Sequence, residues 1–151
     1  MIIPNRTSHG TFFHLNETEF IARLDRRIAE VMNWPLENGE GIQILRCGIG
    51  GEYRPHFDYF TPVLPNRLTA LTEGGQRVAT LIMYLNEPEE GGATVFPEIH
   101  LDVSPKKGGA VYFSYCNSLG QVDPLTLHGG APVKQGEKWI ATKWMRQHRR
   151  G

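Results

Sequence analysis

After Pro35 no stretch of the chain shows helical periodicity. Instead, paired glycines recur at Gly50-Gly51, Gly74-Gly75, Gly91-Gly92, Gly108-Gly109 and Gly129-Gly130, between stretches rich in β-branched and aromatic residues. A parallel sheet needs a crossover helix between its strands, so this pattern points to antiparallel pairing. The strongest strand candidates are Gly41 to Arg46, Val78 to Leu85, Ala110 to Tyr115 and Trp139 to Met145. One helix precedes them: Asn16 can cap it, Glu19 stands three residues later as in a capping box, and Phe20, Leu24, Ile28 and Val31 recur at helical spacing before Trp34-Pro35 ends it. The expected architecture is mainly β with a flanking helix, a jelly roll or barrel covered on one side.

A chain of 151 residues fits a single domain, residues 1–151, and no shift in composition marks a second. Lys and Arg total 16 and so do Asp and Glu, so the field that drives non-specific nucleic-acid binding is missing and no nucleic-acid partner is expected. The two cysteines, Cys47 and Cys116, are too few for a disulfide framework and read as thiols. The opening MIIPNRTSHG lacks the charged and apolar regions of a signal peptide, and no apolar run approaches a membrane span. No membrane association and a cytoplasmic location are therefore expected. The stretch from Thr61 to Gln76 reads as a long loop of the kind that covers a site, and the terminal RQHRRG as a solvated tail.

Candidate chemistry begins in EYRPHFDYF, where alternation along an extended segment puts His56 and Asp58 on one face. A His-x-Asp tripeptide is common enough, with a chance expectation of about 0.16 in this composition, to be an ordinary strand pair. His128 in LTLHGGAPVKQGEKW changes its meaning. Two imidazoles and one carboxylate bind one face of Fe(II) and leave the opposite face open. Zinc sites are more often closed, and magnesium or calcium sites use oxygen donors with little imidazole. Lys138 follows His128 by ten residues; its ammonium can pair with the distal carboxylate of a chelating dicarboxylate, or stand as an exposed turn lysine. His9, His14, His100 and His148 show no ligand spacing, and neither a phosphate loop nor an acyl-transfer motif is present.

Four ordered blocks, RTSHG, ENGEGIQILRCGIGGEYRPHFDYF, QRVATLIMYLNEPEEGGATVFPE and LHGGAPVKQGEKWIATKWM, resemble the catalytic domain of prolyl 4-hydroxylases, which are Fe(II)- and 2-oxoglutarate-dependent dioxygenases. The resemblance runs from about Arg6 to Arg146. It implies a double-stranded β-helix, a distorted cupin-like jelly roll, with the metal in its mouth. It further implies His56, Asp58 and His128 as iron ligands, and Lys138 with Thr94 on the 5-carboxylate of 2-oxoglutarate. The implied reaction takes O2, converts 2-oxoglutarate to succinate and CO2 and hydroxylates proline C4 in a peptide or protein partner, with ascorbate as reductant. Peptide-handling positions of the family look like Arg6, Ser8, Glu40, Tyr53, Arg77 and Trp144.

By the same resemblance Cys47 stands at a cosubstrate-binding position, where a thiol replaces the tyrosine the family commonly has nine residues before the first metal histidine. Arg146 stands where the family can have a peptide-contacting histidine. The front is short relative to the family, whose preceding strand and helix are not seen. An alternative class is a degenerate, non-catalytic peptide-binding module of the same fold; a related enzyme class hydroxylates another side chain or a free amino acid. A halogenase is disfavoured, because Asp58 occupies the position chloride would need. The sequence carries no signal for oligomeric state.

Overall fold

The computed structural model describes residues 9–61 and 74–149. Arg6, Ser8 and most of the expected loop between Thr61 and Gln76 lie outside the described residues. Among the described residues the helix is α1 (Glu19–Met32), and all strand pairing is antiparallel. The larger sheet contains β1 (His9–Phe12), β2 (Gln43–Cys47), β4 (Arg77–Tyr84), β8 (Ala110–Ser114) and β11 (Lys138–Arg146), in the order β1-β2-β11-β4-β8. The smaller sheet contains β3 (Tyr53–His56), β6 (Thr94–Phe96), β7 (Leu101–Val103) and β9 (His128–Gly130), in the order β3-β9-β6-β7. A short pair, β5 (Glu90–Gly91) with β10 (Val133–Gln135), completes the pairing. The two sheets form the jelly roll of a double-stranded β-helix. The four strands expected in the larger sheet appear within two residues of their expected limits.

The larger sheet alternates its residues between two faces. One face meets α1: Ile28, Ala29 and Met32 pack with Ala79, Leu81, Ala141 and Met145, and Val78, beside a register shift in β4, joins the same cluster. The other face, carrying Gln43, Leu45, Cys47, Ile82, Lys138, Ile140, Thr142 and Trp144, looks toward the smaller sheet and lines a pocket between them. The helix face differs from the one periodicity predicted. Phe20 and Val31 stay 63% and 69% exposed, while Ile21, Asp25, Ile28, Ala29 and Met32 are buried. Of the predicted residues Ile28 is buried and Leu24 packs against the core, and within the buried face Asp25 Oδ1 accepts a 3.0 Å hydrogen bond from Lys143 Nζ, both side chains being fully buried. The cap also shifts, since Thr18 rather than Asn16 accepts from the Ile21 N–H at 3.1 Å. Asn16, at φ 53°, instead gives its backbone N–H to Asp25 Oδ2 at 3.1 Å. Asn33, at φ 51°, closes the helix in the left-handed region that asparagine tolerates.

Candidate active site

His56 ends β3 and His128 opens β9, and the register pairs these two residues directly. Gly129 permits that close pairing: a Cβ there would fall 2.6 Å from the Tyr53 carbonyl oxygen and 2.9 Å from Pro55 N. The imidazole centroids are 4.5 Å apart. Asp58 is not on the strand, because β3 stops at His56; it reaches the pair from the bend that follows. Its Oδ1 lies 3.2 Å from His56 Nε2 and 3.3 Å from His128 Nε2. Potential ligand atoms of His56, Asp58 and His128 lie within 4.8 Å of one another, the one such group of three among the described residues.

Neighbouring groups orient all three. His56 Nδ1 is 2.8 Å from the Arg54 carbonyl and His128 Nδ1 is 2.8 Å from the Thr126 carbonyl. A carbonyl only accepts, so each Nδ1 carries the hydrogen, and in the neutral ring the Nε2 lone pair points at the shared centre. Asp58 Oδ2 accepts from Thr80 Oγ1 at 2.7 Å and from Trp144 Nε1 at 3.0 Å, leaving Oδ1 for the centre. Burial pushes the Asp58 pKa up, but hydrogen bonds and charge attraction from His128 and His56 outweigh it and hold the carboxyl well below its ordinary range. Burial pulls His128 down, while Asp58 more than reverses this and raises it.

Lys138 opens β11 opposite Cys47 of β2 and is 5% exposed, so it is not the exposed turn lysine of the alternative reading. Its side chain threads past two glycines: a Cβ at Gly92 would meet Lys138 Cδ at 3.3 Å, and one at Gly130 would meet Nζ at 3.7 Å. Thr94 pairs in register with Gly130, and its hydroxyl is 2.7 Å from the Tyr84 hydroxyl. Among the described residues no carboxylate lies within ion-pair distance of Lys138 Nζ. Burial lowers its pKa, and the neighbouring Cys47 opposes that shift. A buried ammonium with no carboxylate beside it among the described residues suits an anionic ligand.

The remaining expected site residues divide into two groups. Tyr53, Cys47 and Trp144 line the pocket; Tyr53 stacks on His56 with ring centroids 3.7 Å apart. Glu40 and Arg77 do not line it, because they satisfy each other in a forked ion pair, Nε to Oε2 at 2.7 Å and Nη2 to Oε1 at 2.9 Å. Arg77 also lies 4.2 Å from the Trp144 ring centroid and donates to the Asp58 carbonyl at 3.3 Å, which places the pair behind the triad. Arg146 is buried there too, giving Nε to the Gly75 carbonyl at 2.9 Å. Thr80, Tyr84, Tyr115 and Gln43 were not singled out by sequence. The available signal was alternation in β4, which sets Thr80, Ile82 and Tyr84 on the pocket face.

The donor set fits a metal that accepts two imidazoles and one carboxylate on one face, and Lys138 with Thr94 fits a second carboxylate at the other end of the same pocket. The pattern of the 2OG-Fe(II) oxygenase superfamily matches residues 42–146. Prolyl 4-hydroxylase 1 of Arabidopsis thaliana is 43% identical over 157 residues, covering 94% of this chain and 54% of that protein. Probable prolyl 4-hydroxylase 10 of the same plant is 40% identical over 162 residues, covering 95% and 54%. The chain thus spans about half the length of the curated relatives it matches. Among solved structures, the viral collagen prolyl hydroxylase of Paramecium Bursaria Chlorella virus-1, in its 2OG complex, superposes with a TM-score of 0.78 at 35% identity, over 96% of this chain and 82% of that one. With its jelly roll, its His-Asp-His centre and its buried lysine, the chain belongs to the 2OG-Fe(II) oxygenase superfamily.

Proposed function

We propose that the chain is an Fe(II)- and 2-oxoglutarate-dependent dioxygenase that hydroxylates proline in a peptide or protein. The observation that carries this reading is one pocket lined both by the His56, Asp58 and His128 ligand atoms and by the buried Lys138 ammonium. Iron and 2-oxoglutarate together supply the oxidation: O2 gives one oxygen to succinate as CO2 leaves and the other to the substrate as hydroxyl, with ascorbate keeping the metal ferrous.

The chain's own residues do the rest. His56, His128 and Asp58 would hold the metal on one face, and their second hydrogen bonds fix the ligand atoms before metal arrives. Lys138 and Thr94 would take the distal carboxylate and so set the direction in which the cosubstrate lies. Leu45, Ile82 and Ile140 keep the floor between them apolar, which limits water next to a strong oxidant. Tyr53 at the mouth, stacked on His56, offers an aromatic face to a pyrrolidine ring. The plant and viral relatives named as prolyl hydroxylases support proline as the target.

The test is incubation of the purified chain with Fe(II), 2-oxoglutarate, ascorbate and proline-rich peptides, reading succinate and a peptide mass gain of one oxygen atom. Both are expected, and both should vanish in His128→Ala. Succinate without modified proline would overturn the substrate and leave the oxygenase class standing. Iron binding with no succinate, alongside tight peptide binding that survives His56→Ala, would favour a non-catalytic peptide-binding module.

A further inference from the structure

The three triad residues are not held alike. His56 and His128 face each other in a paired ladder, but β3 ends at His56, and Asp58 stands in a bend outside the strands. Gln76, the residue before β4, supplies the pairing that the bend lacks. Its Oε1 accepts the Phe60 N–H at 2.6 Å, and its Nε2 donates to the Phe60 carbonyl at 2.9 Å. A side-chain amide thus exchanges both bonds with a backbone residue, as the opposite residue does in an antiparallel ladder.

The amide is itself held from several sides. The Arg77 N–H donates to the same Oε1 at 3.0 Å, so two donors fix which end of the amide is oxygen. The Gln76 N–H donates to Gln147 Oε1 at 2.8 Å, and the Gln147 N–H returns to the Gln76 carbonyl at 2.9 Å, which ties Gln76 to the chain just beyond β11. Arg77 then donates to the Asp58 carbonyl at 3.3 Å and lies 4.9 Å from the Phe60 ring centroid. Consecutive residues therefore grip the bend at two points, Asp58 and Phe60. Neither Gln76 nor Phe60 lines the pocket, so the amide acts on the centre through the backbone and not by touching a ligand.

We propose that Gln76 is a positioning residue for the metal centre: its side-chain amide fixes the bend that carries Asp58 and so sets where Oδ1 stands relative to the two imidazoles. Thr80 and Trp144 hold Oδ2, but side-chain contacts fix a carboxylate only as well as the backbone beneath it is fixed. A metal-binding constellation must be held within about 0.5 Å of its working geometry, and a bend without ladder bonds does not supply that by itself. Without the amide, the Phe60 N–H and carbonyl lose these partners and the bend relaxes. This inference rests on the dioxygenase reading of the triad.

The test compares wild type with Gln76→Met, which keeps the length and loses both bonds to Phe60, and Gln76→Glu, which keeps the acceptor and loses the donor. Asp25→Asn is the control, since it weakens the buried Lys143 pair beneath the helix and leaves the bend untouched. Fe(II) affinity is read anaerobically by calorimetry, ligand geometry from the visible spectrum of the Co(II)-loaded chain, and stability by thermal unfolding of the metal-free chain. Gln76→Met should bind Fe(II) about tenfold more weakly and change the Co(II) spectrum. Gln76→Glu should show a smaller loss in the same direction. Asp25→Asn should melt at a lower temperature than wild type yet keep its metal affinity and spectrum. A purely structural glutamine would lower the melting temperature and leave both metal readouts unmoved, and that result in Gln76→Met overturns the inference. A metal loss in Asp25→Asn equal to that in Gln76→Met also overturns it, because affinity then only follows stability. Should Gln76→Met not fold, Gln76→Glu decides, and wild-type affinity and spectrum there overturn the inference. A wild-type chain that binds no Fe(II) overturns the metal-centre reading itself.

Discussion

Thr80 holds the carboxylate that faces the triad. Its hydroxyl lies 2.7 Å from Asp58 Oδ2 and 2.8 Å from the Tyr115 hydroxyl, and Thr80 is fully buried. Thr80→Val keeps the shape and removes both contacts. A hydrogen bond to an ionised carboxylate contributes about 1.5–3 kcal/mol, and a stranded buried hydroxyl adds about 1–3 kcal/mol of penalty. The single variant should therefore be about 3–5 kcal/mol less stable in denaturant unfolding. Thr80→Val with Tyr115→Phe removes the stranded hydroxyl as well and should regain about 1–3 kcal/mol of that loss. Metal affinity should not follow stability. Outer-shell partners of a metal ligand typically govern about 10–100-fold in affinity, and both variants leave Asp58 Oδ2 with Trp144 alone, so both should bind Fe(II) or Mn(II) that much more weakly in calorimetry. Metal affinity at the wild-type value in Thr80→Val would refute the claim that this hydroxyl orients the ligand. Failure of Tyr115→Phe to restore stability would refute the accounting for the bridge.

Two further outcomes follow from buried lysines. Lys138 must be an ammonium to hold a carboxylate, and burial lowers its pKa below the usual lysine value, so 2-oxoglutarate affinity should decline on the alkaline side before an ordinary lysine would titrate; Lys138→Arg, which cannot deprotonate, should abolish that decline in a pH series of binding titrations. Asp25→Ala should destabilise by about 3–5 kcal/mol because it leaves Lys143 charged and unpaired in the interior, whereas Asp25→Leu with Lys143→Met should unfold near the wild-type denaturant midpoint.

Short windows of sequence determined a good deal. The β-rich class, the leading helix and four of the five strands of the larger sheet follow from residue type and spacing, which act locally. The grouping of His56, Asp58 and His128 and the place of Lys138 in the same pocket were legible because particular side chains must recur in a particular order to do that chemistry. What tertiary structure alone decided is which partner each polar group takes. Periodicity chose Phe20, Leu24, Ile28 and Val31 for the inner helix face; Ile28 and Leu24 do pack inward, but Phe20 and Val31 stay exposed while Asp25 is buried against a lysine 118 residues away. Glu40 and Arg77 looked like open peptide contacts, yet they lie 37 residues apart in sequence and fold onto each other behind the triad. Thr80 and Trp144 grip Asp58 across 22 and 86 residues, and Gln43 is stranded because the register that aligns it with Thr142 brings no donor to its oxygen. A hydrophobic pattern fixes which face of a strand is inward, since that depends only on alternation. Which polar atoms then meet depends on register between strands remote in sequence, and that is settled only when the sheets close around the pocket.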